Sequence, residues 1–404
     1  MSRLRILFPL LFLFFLTQAL GAAEFNFTFR AGDKYRILST VHHDIYIDRV
    51  LSFQAEILNR ISVDVHSTQG ERGLHSATFQ TAERTVPVGE EADRGALFTW
   101  SRDYYSEFSQ GPSGQMNVTP GFFFPMVRDL PLFPGGPLNP GDTWSAPGME
   151  VHDFRANFSI EEPFMMPFMA DYTYLGPQVW QGRSYPAFRV SYRIFWDEGK
   201  ARQGLSELAL RRILVASDQI LYWEDGRIIA YEEVFRTIIY LTNGSTWEYR
   251  GQAEAQIVDS QPMDREALAA EISQAVAALP DISVRVADEG VIISLENIQF
   301  DPDSAVLRPT EYPKLDRIAE ILLAYPDRDI MVGGHTALAG TAAGRMQLSL
   351  ERAQAVADQL LRRNVRSPER LIIRGYGAEQ PLADNATPQG MERNRRVEII
   401  ILEN

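Results

Sequence analysis

Cysteine is absent from all 404 residues. That excludes disulfides, thiolate nucleophiles, cysteine-ligated metals and lipid attachment through an N-terminal cysteine. Lysine is almost absent, occurring only at Lys34, Lys200 and Lys314, so arginine carries nearly all the positive charge. There is no basic tract and the formal net charge is −14, which argues against nucleic acid as a partner. Long apolar runs are also missing. The longest, Ile6–Leu16, is broken by Thr17 and Gln18, whereas a spanning helix needs about 20 residues. No G-x-S-x-G, H-E-x-x-H or phosphate-loop pattern is present.

What is present begins with a targeting signal. Arg3 and Arg5 precede the short apolar run, and small residues follow in "TQALGAAEF". This order predicts a signal peptide over residues 1–23 and an exported chain starting near Glu24. The expected location is outside the cytoplasm. A chain this long, 45% hydrophobic and 23% charged, is globular and fits two or three domains.

Residues 24–260 carry β signals. "ISVDVHS", "FRVSYRIFW" and "IIAYEEVFRTIIYL" are rich in β-branched and aromatic residues, and turn chemistry such as "WEDGR" and "LTNGSTW" separates them. A lipid-facing barrel strand needs one parity free of charge. Along Arg227–Leu241, Glu233 shares a parity with Ile229 and Phe235, while Glu232 and Arg236 occupy the other. The expectation is therefore an all-β, sandwich-like or twisted-sheet domain. The aromatic stretches "GFFFPMVRDLPLFPGGP" and "EEPFMMPFMADY" read as covering loops, or as an apolar patch for a lipid or protein partner.

The period changes at Met263–Pro280. Asp264 is placed to cap, and Leu268, Ile272, Val276 and Leu279 share one helical face, which predicts a linking helix over 261–280. Residues 281–404 then alternate strand, helix, strand, helix, strand. The predicted strands are Ile282–Ala287, Val291–Leu295, Ile330–Gly334, Leu371–Gly375 and Val397–Leu402, with one helix after Thr310 and another from Met346 to Arg363. That alternation implies an α+β domain with helices on one side of a mixed sheet, and α+β is the class expected for the whole chain.

Within this domain, "IQFDPDSAVLRP", "GGHTALAG", "LSLERAQAVADQL", "IIRGYGAEQPLADNATPQG" and "NRRVEIII" occur in order. Together they make residues 290–404 resemble the OmpA-like C-terminal domain of envelope proteins. The resemblance implies non-covalent binding of the peptidoglycan stem peptide, without a cofactor, a metal or catalysis. By motif, Arg352 takes the carboxylate of the diamino acid, while Thr336, Asp301, Asn394, Arg395 and Arg396 occupy the other family positions near the pocket. A guanidinium suits that role because its planar fork binds a carboxylate bidentately. Gly333, Gly334 and Gly340 are expected to let the backbone approach a ligand closely.

Ala337 departs from the family, which has an aspartate there for the ligand's amino group. From Gly333 to Leu350 there is no acid at all. A charge-assisted hydrogen bond is worth about 1.5–3 kcal/mol, so its loss weakens binding roughly 10- to 150-fold. Three readings stay open: the domain has lost peptidoglycan binding and serves as a structural or partner-binding module; the diamino acid is a non-standard one; or Asp301 or Asp303 replaces the missing acid. His335 reads as a packing or hydrogen-bonding residue. A periplasmic hydrolase is the remote alternative, but His42–His43 and His152–Asp153 are sequence neighbours that a strand would point to opposite faces.

Overall fold

The computed structural model describes residues 22–88, 97–124, 127–158, 160–197, 210–258, 263–279, 281–301, 304–326 and 328–403. The predicted signal peptide falls almost wholly outside them. No described helix is long and apolar enough to cross a membrane.

Ten long strands build the first region: β1 (Lys34–Ile47), β2 (Val50–Gln69), β3 (Arg72–Pro87), β4 (Phe98–Gln110), β5 (Thr143–His152), β6 (Phe164–Trp180), β7 (Arg183–Asp197), β8 (Leu210–Glu224), β9 (Arg227–Leu241) and β10 (Thr246–Val258). All pair antiparallel, in the order β4-β3-β2-β1-β10-β9-β8-β7-β6-β5. The turns follow from their sequences. At the β8–β9 hairpin Asp225 and Gly226 both take positive φ, 48° and 78°, as a two-residue turn with the right twist requires. Of the two forms expected, sandwich-like or twisted sheet, the strands take the second: they form one sheet, and covering loops do the work a facing sheet would do.

That sheet curls. Register shifts interrupt β1–β2, β2–β3, β3–β4, β6–β7 and β8–β9, and each such irregularity bends a strand and sharpens its twist. Seven neighbouring strands laid flat would span about 29 Å at ~4.8 Å spacing. Yet β4, β3, β2, β1, β10, β9 and β8 all line a single cavity of about 400 Å³. Phe27–Phe29, together with Phe124, Val127, Leu130 and Pro131, close over it. Phe27 N–H donates to Pro112 O at 2.8 Å and Thr28 N–H to Gly226 O at 3.1 Å. Phe124 and Phe133 are buried, so the first aromatic stretch covers a core rather than forming a free patch.

The second region holds strands β11 (Ile282–Ala287), β12 (Gly290–Glu296), β13 (Ile330–Gly334), β14 (Leu371–Gly375) and β15 (Arg396–Leu402), and helices α1 (Arg265–Val276), α2 (Tyr312–Leu323), α3 (Ala342–Arg362) and α4 (Pro388–Asn394). The order is β11-β12-β15-β13-β14, with β13 and β14 parallel and the other pairs antiparallel. Asp264 caps α1 by accepting from Ala267 N–H. Its apolar face, Leu268, Ile272 and Val276, joins the core formed by α2, α3 and the sheet. The linking helix is thus packed into the second region.

Helices cover one sheet face through Val291, Ile293, Val332, Ile373, Ile399 and Ile401. The other face, Ile292, Met331, Ile372, Ile400 and Leu402, packs on Ala82, Phe98, Trp100 and Leu58 of the first region. Edge strand β14 also pairs in parallel with β4, Ile372 opposite Phe98 and Ile373 opposite Thr99, so one hydrogen-bonded sheet runs through both regions. Arg60, buried at this contact, pairs with Asp329, which Arg370 also reaches at 2.6 Å.

Candidate functional site

The site predicted from the motifs lies at the C-terminal ends of parallel strands β13 and β14, where their loops meet the first turns of α3. Thr341 starts α3, its hydroxyl accepting from Gly344 N–H at 3.1 Å. Ser349 is fully buried and pins the helix to the strand ends. Its Oγ donates to Met346 O at 2.8 Å and accepts from Gly377 N–H at 2.9 Å. This packing corrects one expectation. A Cβ on Gly334 would run into the Ser349 backbone, and one on Gly333 would press the Tyr376 ring. Those two glycines admit α3 and Tyr376, not a ligand. Gly340 has φ +75° and open space around it, so it alone of the three keeps the predicted freedom.

Arg352 projects from α3 toward the segment after β12. Its guanidinium lies 4.9 Å over the Phe300 ring, and Nε donates to Ser304 O at 3.2 Å. Asp301 is on the same segment, exposed, 3.3 Å from Arg308 Nε. Asp303 lies outside the described residues. The fold therefore brings Arg352 and the Asp301 segment together, as the motif order implied.

The remaining positions surround the loop 335–340. Thr336 is buried, its N–H bound to Gly377 O at 2.8 Å, and its hydroxyl has no partner among the described residues. Ala337 is only 5% exposed. Asn394 is fully buried and fully engaged: Oδ1 accepts from Leu382 N–H (2.7 Å) and Ala383 N–H (2.9 Å), and Nδ2 donates to Ala383 O (2.8 Å) and Asn385 Oδ1 (2.9 Å). Asn385 Oδ1 in turn accepts from Leu338 N–H at 3.1 Å. Asn394 is therefore a clamp between two loops, without a spare group for a ligand. Arg395 is exposed. Arg396 is buried, donating to Glu398 Oε1 at 2.8 Å and to Gln380 O at 3.1 Å.

Glu398 organises this floor. Burial alone would raise its carboxyl, but His335 and Arg396 outweigh that and hold it at about 2. Burial pushes the His335 imidazole down, against the pull of Glu398 3.5 Å away. The ring stacks on Tyr376 with centroids 4.6 Å apart, the packing role expected of it. No group of three or more potential metal ligands occurs among the described residues. Ser349, Tyr376, Asn385 and Glu398 were not singled out from sequence, although the motifs "LSLERA", "GYG", "LADNATP" and "RRVE" contain them.

The OmpA family model matches residues 299–395, and the C-terminal region is an OmpA-like domain. The chain is similar to the peptidoglycan-binding protein ArfA of Mycobacterium tuberculosis, 40% identical over 104 residues, 26% of this chain and 32% of ArfA. It is also similar to the probable lipoprotein YiaD of Escherichia coli, 35% identical over 121 residues, 30% of this chain and 55% of that protein. A solved structure of an outer membrane protein from Borrelia burgdorferi B31 shares 31% identity, covering 30% of this chain and 96% of that one, with a TM-score of 0.26. The chain spans about a third of the length of ArfA.

Proposed function

We propose that this chain is a non-enzymatic protein of the cell envelope that binds peptidoglycan through its OmpA-like domain, with the stem peptide as ligand and the periplasm as its location. The observation that carries the reading is Arg352. It is held on α3 against the Asp301 segment, inside the matched residues, where the family places its carboxylate-binding arginine. Thr336 supplies a hydroxyl without a partner among the described residues, and exposed Arg395 supplies a second cation beside α4. Asn394 and Arg396 act by holding the loops. The relatives that match, named as peptidoglycan-binding and lipoprotein, support the same class.

Ala337 favours a second reading, a partner-binding domain without wall affinity, because no acid stands at the position meant for the ligand's amino group. Co-sedimentation of the purified chain with isolated sacculi separates the two. Retained binding, lost in Arg352→Ala, supports peptidoglycan recognition. No binding by the unaltered chain, with binding gained in Ala337→Asp, overturns it in favour of the second reading.

A further inference from the structure

The first region has a cavity of its own. Three cross-strand rows build it on one face of the curled sheet. The middle row is apolar: Ile257, Ile37, Ile61, Phe79 and Tyr104 stand opposite one another across β10, β1, β2, β3 and β4. The row on one side is polar, with Tyr231, Ser39, Asn59 and Thr81 in register across Ala255. These polar groups pair among themselves: Thr81 Oγ1 donates to Asn59 Oδ1 at 2.9 Å, and the Tyr231 and Ser39 hydroxyls lie 3.5 Å apart. The row on the other side ends at Tyr35 and Val63, with Arg227 over the Tyr35 ring at 5.8 Å. Arg227 is the one cation on the lining described.

Protein interiors are close-packed, and voids larger than a water are few. A space of about 400 Å³ that is partly open to solvent is a pocket and not a packing defect of the core. Water has partners on the polar side, where Asp33, Asn59, Thr81 and Glu233 line the space, but a buried water needs two to four polar partners and the middle row offers little beyond the Tyr104 hydroxyl. That group is already committed, donating to Asp153 Oδ2 at 2.6 Å. The volume lies in the range of small-molecule sites, about 300–1,000 Å³. Taking a methylene as roughly the ~30 Å³ of a water, it holds about 13 carbons.

We propose that this cavity binds a single long acyl chain, seated along the apolar row with its head toward Arg227. The chain comes either from a free fatty acid or from a monoacyl lipid. The site is independent of the peptidoglycan reading, because its residues belong to β1–β4, β8–β10 and the segments that cover them.

The test is displacement of a fluorescent fatty acid from the whole purified chain, by palmitate in one arm and by a lysophospholipid in the other, together with thermal unfolding in the presence of each. Ala255, 5% exposed on β10 and part of the cavity lining, is the residue to enlarge. Saturable binding to the unaltered chain is expected, weakened in Ala255→Leu and weakened at least tenfold in Ala255→Phe. Whichever probe binds more tightly identifies the source of the chain. Should Ala255→Phe not fold, Ala255→Leu and the ligand-dependent melting of the unaltered chain carry the test. Absence of saturable binding by both probes, or equal binding by all three proteins, overturns the proposal.

Discussion

Replacing His75 by phenylalanine should change how stability depends on pH. His75 lies on β3, 2% exposed. Its ring stacks on Phe108 at 4.8 Å and meets the Phe29 ring edge-on at 5.1 Å. Neither ring nitrogen has a hydrogen-bond partner among the described residues; the Gly73 backbone approaches without reaching bonding geometry. Burial pushes the imidazole from 6.5 down to about 4, and nearby His66 adds to the effect. Between those values the unfolded chain takes up a proton that the folded chain refuses, so stability is full above about 6.5 and falls as pH drops toward 4. A gap of about 2.5 pH units at ~1.4 kcal/mol each amounts to between about 3 and 4 kcal/mol. In His75→Phe the stacking is kept and this loss disappears. The variant should therefore gain on the unaltered chain by about 3 to 4 kcal/mol as pH is lowered across that window. Urea unfolding followed by tryptophan fluorescence measures it, because all six tryptophans lie between residues 100 and 247 and report the first region, Trp100 together with its contact on the second. If both proteins lose stability in parallel as pH falls, His75 is not a buried neutral group and the reasoning fails.

Asp329→Asn leaves Arg60, 8% exposed, without its ionised partner and should cost about 3 kcal/mol. Urea unfolding at neutral pH checks this, and an unchanged midpoint would show that the contact between the regions does not rely on the pair. Asn394→Ala strands the Leu382 and Ala383 N–H groups, each worth about 1–3 kcal/mol when left unsatisfied. Amide hydrogen exchange should speed up in residues 380–387 and in the Leu338 loop while β12 and β15 keep their protection; unchanged loop exchange would contradict the clamp. Acidification through the range from about 4.5 to about 2 should weaken the same floor, because Glu398 is held ionised there by His335 and Arg396. Glu398→Gln should lose that dependence in thermal melts of the chain.

The second region was legible because each local signal agreed with the fold. Asp264 caps where the period changes, and Pro326 follows the end of α2. Every strand predicted after residue 281 lies within one residue of its observed bounds. The start of α3 was placed four residues late, because "TAAG" carries no apolar periodicity and its signal is the Thr341 cap. Helix α4 went unread for a similar reason: seven residues are too few to show a period. The site was legible as a set of motif positions but not as chemistry. Sequence order cannot reveal that Asn394 spends all four of its bonding positions on loops, or that Gly334 serves Ser349. Those facts depend on which distant segment arrives.

One signal in the sequence did describe a distant arrival. Val291–Leu295 is interrupted only by Ser294, and Ile399–Leu402 is apolar at every position, whereas a strand with one wet face alternates. Helices cover one parity; the first region covers the other, Ile292, Met331, Ile372, Ile400 and Leu402. Burying five large apolar side chains is worth about 1.5–3 kcal/mol each, an upper bound near 10 kcal/mol once a compact unfolded chain is allowed for. The second region expressed by itself, from residue 263 to 404, should therefore keep its core yet expose a continuous apolar face. It should bind an apolar dye such as anilinonaphthalene sulfonate, self-associate in analytical ultracentrifugation, and lose both properties in Met331→Lys/Ile400→Glu. A monomeric, dye-silent fragment would mean that this face tolerates water. The contact with the first region would then contribute little, and the two regions would be free to separate.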